Sequence, residues 1–221
     1  STLFPYTTLF RSSQEEDSQI RLGVCQALAR LPQADGLKHL AILLNDSQAI
    51  VRDAAFSSYG QLANDLALWI NAGFASQHQD IHQRALKVLL DNLAQLPSLA
   101  KEQTQDYFKR TLGRFFDHSA KETPSLGQQL LLAALNDPFA AVRKEVSKAC
   151  LNRSLAGNYQ QSLHLLLTSH HQDVHLEALQ EWQAKSREPE ALDLLNTLLN
   201  DNFTEVRQQA LQFALNNKKQ F

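Results

Sequence analysis

The sequence predicts an all-α fold, an α-solenoid of about six to seven helix pairs, on three observations. First, a nine-residue pattern recurs: Leu44-Asn45-Asp46, four variable residues, then Val51-Arg52. It returns as Leu135-Asn136-Asp137 with Val142-Arg143, and as Leu199-Asn200-Asp201 with Val206-Arg207. Second, each interval holds two stretches whose apolar residues fall at helical spacing. Third, no stretch alternates apolar and polar residues for long enough to make a strand.

Weaker copies fill the gaps. Ile20-Arg21, Ile81-His82 and Val174-His175 occupy the Val-Arg positions, and a small apolar residue follows each three positions later (Val24, Ala85, Ala178). The second residue of the pair therefore stands at 21, 52, 82, 143, 175 and 207, with one degenerate copy expected near residue 112.

The elements follow in chain order. Leu-rich first helices are predicted at 36–45, 128–136, 159–168 and 191–200. Second helices follow the aspartates at 48–62, 139–152 and 204–216. Each aspartate is expected to act as N-cap, its carboxylate accepting from the otherwise unpaired first amides. Pro138 would then fall at the first helical position, where a missing N–H costs nothing. Thr123-Pro124 reads as another such start, and Pro32, Pro97 and Pro189 fall near joints. Residues 97–124 lack the motif, although 103–118 reads as a long helix whose Tyr107-Phe108 and Phe115-Phe116 suit a core. The end Asn216-Asn217-Lys218-Lys219-Gln220 is polar, as a cap would be.

This Asp…Val-Arg pattern with its helix pair resembles HEAT repeats over nearly all of residues 13–221. The resemblance implies that the Val packs between helices while Asp and Arg form ladders linking repeats. Carried over, Asp46, Asp137 and Asp201 would pair with Arg52, Arg143 and Arg207. A planar guanidinium suits that role, since it can bridge a carboxylate and backbone carbonyls at once. His82 and His175 replace the arginine in two copies, which would weaken the ladder there.

Residues 1–12, Ser-Thr-Leu-Phe-Pro-Tyr-Thr-Thr-Leu-Phe-Arg-Ser, resemble a translated reading frame through a short-read sequencing adapter. They are set aside before fold reasoning. The expectation is an N-terminally truncated fragment, in which residues 20–28 expose an apolar face for want of a preceding repeat.

Residues 13–221 carry 20 basic and 23 acidic side chains. A net charge of −3 argues against a chain built to sit on phosphates. The charge is uneven, however, and residues 84–148 hold 10 basic against 7 acidic. Cys25 and Cys150 stand far apart in apolar contexts, as small core residues without metal or redox spacing. They fit a reducing cytoplasm. No apolar run approaches the ~18 residues of a membrane span.

Chemistry is sparse. His78/His82 and His171/His175 are spaced i, i+4, as two metal ligands on one helix face would be, yet no third ligand is evident. No nucleophile, phosphate loop or paired carboxylates stand out, so no catalytic residue, cofactor or metal is expected. Trp69 and Trp182 fall in apolar-periodic helices, as core or groove residues. The HEAT resemblance implies instead that second helices line a concave surface. Its stripe would comprise Asp53, Ser57, Gln83, Lys87, Lys144, Lys148, Gln180, Gln208 and Gln212, with Arg84, Lys109, Arg110 or Arg114 enlarging a basic centre. The expected function is a non-enzymatic scaffold holding a protein or peptide. The alternatives are a nucleic-acid groove like that of the HEAT-like DNA glycosylases, and a bilin-lyase-like protein.

Overall fold

The computed structural model describes residues 11–93, 126–153, 159–185 and 191–217, and every regular element among them is an α-helix, eleven in all. The readings of residues 1–10, of 97–124 with its degenerate copy and long helix, of Pro189 and of Lys218-Lys219-Gln220 lie outside these residues. No helix among the described residues is long and apolar enough to cross a membrane. The chain divides into two compact units, Ser1–Thr104 and Gln105–Phe221.

In the first unit, α1 (Ser18–Leu28) is followed by α2 (Gln33–Leu43), α3 (Ala49–Ala63), α4 (Leu66–Phe74) and α5 (Gln79–Asn92). Helix α2 packs on α3 and α4 on α5, while α3 also meets α1, α4 and α5. The motif valine Val51 is fully buried with Cys25, Leu40, Ala55, Ile81 and Ala85. Burying one such aliphatic side chain contributes about 1.5–3 kcal/mol. Asp65 caps α4 by accepting from the Ala67 and Leu68 amides. Asn64, left-handed at φ 50°, ends α3. A β-carbon at Gly60 would collide with the Trp69 ring, so the glycine is what lets α4 seat its indole on α3. The indole N–H then donates to the Phe56 carbonyl at 2.9 Å.

The second unit repeats the scheme in α6 (Leu126–Leu135), α7 (Ala140–Arg153), α8 (Tyr159–Leu166), α9 (Gln172–Ala184), α10 (Ala191–Leu199) and α11 (Thr204–Asn216). The pairs are α6 with α7, α8 with α9 and α10 with α11, and α9 also packs on both α7 and α11. Val142 and Val206 are fully buried, as is Val51. Trp182 is a core residue, edge-on to Phe213 with centroids 5.4 Å apart.

Three local expectations are corrected. Asp46 and Asp201 are not N-caps: Gln48 and Phe203 hold that position for α3 and α11. The carboxylates of Asp46, Asp137 and Asp201 instead accept from the amide two residues on, at 2.8, 2.9 and 2.8 Å, closing an Asx turn ahead of each helix. Pro138 accordingly lies in that turn, two residues before α7, rather than at its first position. The apolar face expected at residues 20–28 is mostly covered. Ile20 is 45% exposed, but Val24, Cys25 and Leu28 are buried because they share the side of α1 that meets α2 and α3.

Candidate functional site

Arg21, Arg52 and Arg143 link neighbouring repeats, but in a register the sequence did not reveal, whereas Arg207, among the described residues, bonds only within its own turn and first helical residue. Arg52 donates from Nη1 to the Asp46 and Ser47 carbonyls at 2.7 and 3.1 Å, within its own turn. Its Nε and Nη2 grip the carboxylate of Asp80, 28 residues on, with a shortest contact of 2.7 Å. Arg143 repeats this with the Asp137 and Pro138 carbonyls and the Asp173 carboxylate. Arg21 does likewise with the Glu15 and Glu16 carbonyls and Asp46. The expected pairing of each arginine with its own motif carboxylate is therefore wrong. A residue six positions upstream presents its carbonyl to the guanidinium, while the side chains of Asp46 and Asp201 serve the Asx turn and the preceding repeat's Arg21 and His175.

Electrostatics follow this geometry. Burial alone would push the Asp46 carboxyl up, but bonds from Arg21 and the Gln48 amide, with the charges of Arg21 and Arg52, hold it below the usual carboxylate range. The bond to Asp46 correspondingly raises the Arg21 guanidinium against the opposing effect of burial.

His175 does not break the ladder. His175 is buried, with Nε2 donating to the Ser169 carbonyl at 2.8 Å and Nδ1 2.6 Å from the Asp201 carboxylate. It thus makes both contacts of a motif arginine with a shorter side chain. His82 Nε2 likewise bonds the Ser76 carbonyl at 2.7 Å. His78 and His171 are the N-cap residues of α5 and α9, their amides donating to the Ser76 and Ser169 hydroxyls. The second histidine of each i, i+4 pair thus has its Nε2 engaged by a backbone carbonyl. Among the described residues, no group of three or more potential ligands could hold a metal ion.

Asp80, Asp173, Ser76, Ser169, Asn45 and Asn136 are structural residues that sequence reasoning missed. The Asn45 side-chain oxygen accepts from the Gln77 amide at 2.7 Å, and the Ser76 hydroxyl donates to the Leu44 carbonyl. Asn136 does the same with the His170 amide, and Ser169 with the Leu135 carbonyl. The signal was present. Ser76-Gln-His-Gln-Asp-Ile-His82 and Ser169-His-His-Gln-Asp-Val-His175 form a second motif class, with serine replacing the upstream aspartate and a new aspartate four residues later.

The exposed stripe lies partly on an open groove in the first unit. Ser57 and Lys87 line it together with Gln61, Trp69, Arg84, Val88 and Asp91, around a volume of about 540 Å³. That size is within the range of ligand clefts. Phe56 forms its buried base, with the Trp69 centroid 5.2 Å away and the Arg84 guanidinium 5.9 Å above its ring. Asp53, another stripe residue, pairs with Arg84. Lys87 and Asp91 stand one turn apart on α5, both exposed, so the rim carries both signs of charge. Gln83, half-buried on α5, does not line the groove.

In the second unit Lys144 and Lys148 are exposed one turn apart on α7, and Gln180, Gln208 and Gln212 are exposed on α9 and α11. Glu177 of α9 lies near the lysines. Burial pushes its carboxyl up, while a bond from Ser147 and the charges of Lys144 and Lys148 pull it back and Asp173 pushes it up further. The basic centre is thus partly met by acid. Lys109, Arg110 and Arg114 lie outside the described residues.

No family model and no curated protein matches the chain. Among solved structures, the crystal structure of an engineered protein is 18% identical over 97% of this chain and 96% of that one. Its TM-score of 0.35 is too low to define a shared fold.

Proposed function

We propose that the chain is a HEAT-like α-solenoid scaffold, without catalytic activity, that holds a protein or peptide partner along the exposed face of its second helices. Support for the solenoid comes from rungs made at the same offsets in both units. A helix pair cannot bury its apolar face alone, so equivalent contacts between successive pairs favour a stacked array. The observation that carries the binding role is the first-unit groove, where Ser57 and Lys87 share one opening with Trp69 and Val88. An aromatic and aliphatic lining with both charges at the rim suits a peptide better than a phosphate backbone, since Arg84 is engaged by Asp53 and Asp91 flanks Lys87. The free, buried cysteines favour a reducing cytoplasm.

Panning a displayed random-peptide library on the whole chain tests this reading. Enriched peptides should bind the wild type and lose at least tenfold in affinity on Lys87→Glu or Ser57→Trp, the latter filling the groove. Absence of enrichment, or peptides indifferent to both substitutions, would overturn it. Retention of duplex DNA at low salt, weakening as salt rises, would favour the nucleic-acid alternative instead.

A further inference from the structure

We propose that the Arg207 edge of one copy docks on the Glu15 edge of a second copy of this chain, extending the internal rungs head-to-tail between molecules. Arg21, Arg52 and Arg143 each divide the guanidinium in the same way. Nη1 takes two carbonyls of its own turn, and the Nε/Nη2 side grips a carboxylate of the following repeat. Arg207 completes only the first half. Its Nη1 donates to the Asp201 and Asn202 carbonyls at 2.6 and 3.0 Å, but Nη2 reaches only the Thr204 hydroxyl. Among the described residues it holds no carboxylate. Farther along the same helix Leu211 and Leu215, one turn apart, are 50% and 52% exposed.

The other edge offers the complement. Glu15 stands six residues before Arg21, as Asp46 stands before Arg52 and Asp201 before Arg207. Its carbonyl accepts from Arg21, while its side chain is exposed and makes no bond with the described residues. Asp46, at the same offset, is the residue Arg21 grips. Glu15 is therefore placed as the carboxylate that an incoming Arg207 lacks. Ile20, exposed on the first turn of α1, supplies apolar surface for the two leucines. One charged rung and three aliphatic side chains make a small interface, so the association is weak and concentration-dependent. The contact joins two different surfaces, making it heterologous.

Sedimentation velocity on the 221-residue chain, from about 5 to 500 µM, reads the outcome directly. The wild-type mass average should rise with concentration. Arg207→Glu and Glu15→Arg should each lower the association constant about tenfold or more. An equimolar mixture of the two should restore it, because the native Arg207 of one variant then meets the native Glu15 of the other, and the two introduced charges are also opposite in sign. Leu211→Lys leaves every carbonyl bond of Arg207 in place and should weaken association as well. A chain monomeric across the range would overturn the proposal. So would association indifferent to these variants, or a mixture no more associated than either charge variant alone.

Discussion

Replacing Arg143 with alanine isolates a complete inter-repeat rung. The side chain is 11% exposed and makes five hydrogen bonds: two to the Asp137 and Pro138 carbonyls, three to Asp173. The two ends count differently. Asp173 is 46% exposed, so water replaces its lost partner and the ion pair contributes at most about 1 kcal/mol. The bond to the Asp137 carbonyl is buried, and stranding that acceptor costs about 1–3 kcal/mol. Losing the packed methylenes adds about 1 kcal/mol. These contributions overlap, giving an expected loss of about 2–4 kcal/mol for Arg143→Ala. Arg143→Lys keeps the charge but not the fork and should lose roughly half as much. In a Trp69→Phe background, Trp182 emission reports the second unit, and the urea midpoint should fall by about 1–2 M. A loss below about 0.5 kcal/mol would refute the assignment of Arg143 as a structural rung.

The Asp46 rung should give an acid limb. Its carboxyl is held below its unfolded value, so the unfolded chain binds the proton more readily. Its contribution is then full above about pH 4, the ordinary carboxylate value, and is lost as pH falls through the lower folded value. Urea midpoints of Asp46→Asn should be lower than wild type at pH 7 and flatter below pH ~4; parallel profiles would contradict this. At His175, arginine should be tolerated within about 1 kcal/mol because it restores the residue of the other copies, whereas leucine should cost about 3 kcal/mol by stranding the buried Asp201. Thermal melts of the two variants compare these directly. Cys25 and Cys150 are buried, and burial is the largest cause pushing each thiol up to about 12. At pH ~8 neither should react with a disulfide reagent until urea unfolds the chain; fast labelling of the native protein would disprove that burial.

The local code was legible in the sequence. Leu-Asn-Asp and Val-Arg lie within nine residues, and helical periodicity needs only a dozen, so second helices expected at 48–62, 139–152 and 204–216 fall at Ala49–Ala63, Ala140–Arg153 and Thr204–Asn216. Burial of the motif valines is what the HEAT resemblance implies, and Val51, Val142 and Val206 are indeed buried. The partner of each arginine was not legible. An arginine's carboxylate lies 25 to 30 residues away, and several aspartates stand at comparable distances. Packing of second helix on second helix selects Asp80 and Asp173, where serine occupies the upstream position, and that choice is set by geometry rather than adjacency.

The candidate groove divides the same way. The HEAT resemblance implies that Ser57 and Lys87 face outward, but Trp69 joins them only because Gly60 admits the indole from a different helix. The sequence by itself determined the helical class, the period and the residues that repeat. Tertiary structure decided which charges meet, that His175 can stand in for an arginine, and where an opening remains. The physical reason is range: turns and helix faces are set by neighbours in the chain, whereas ion pairs and clefts require helices that only folding brings together.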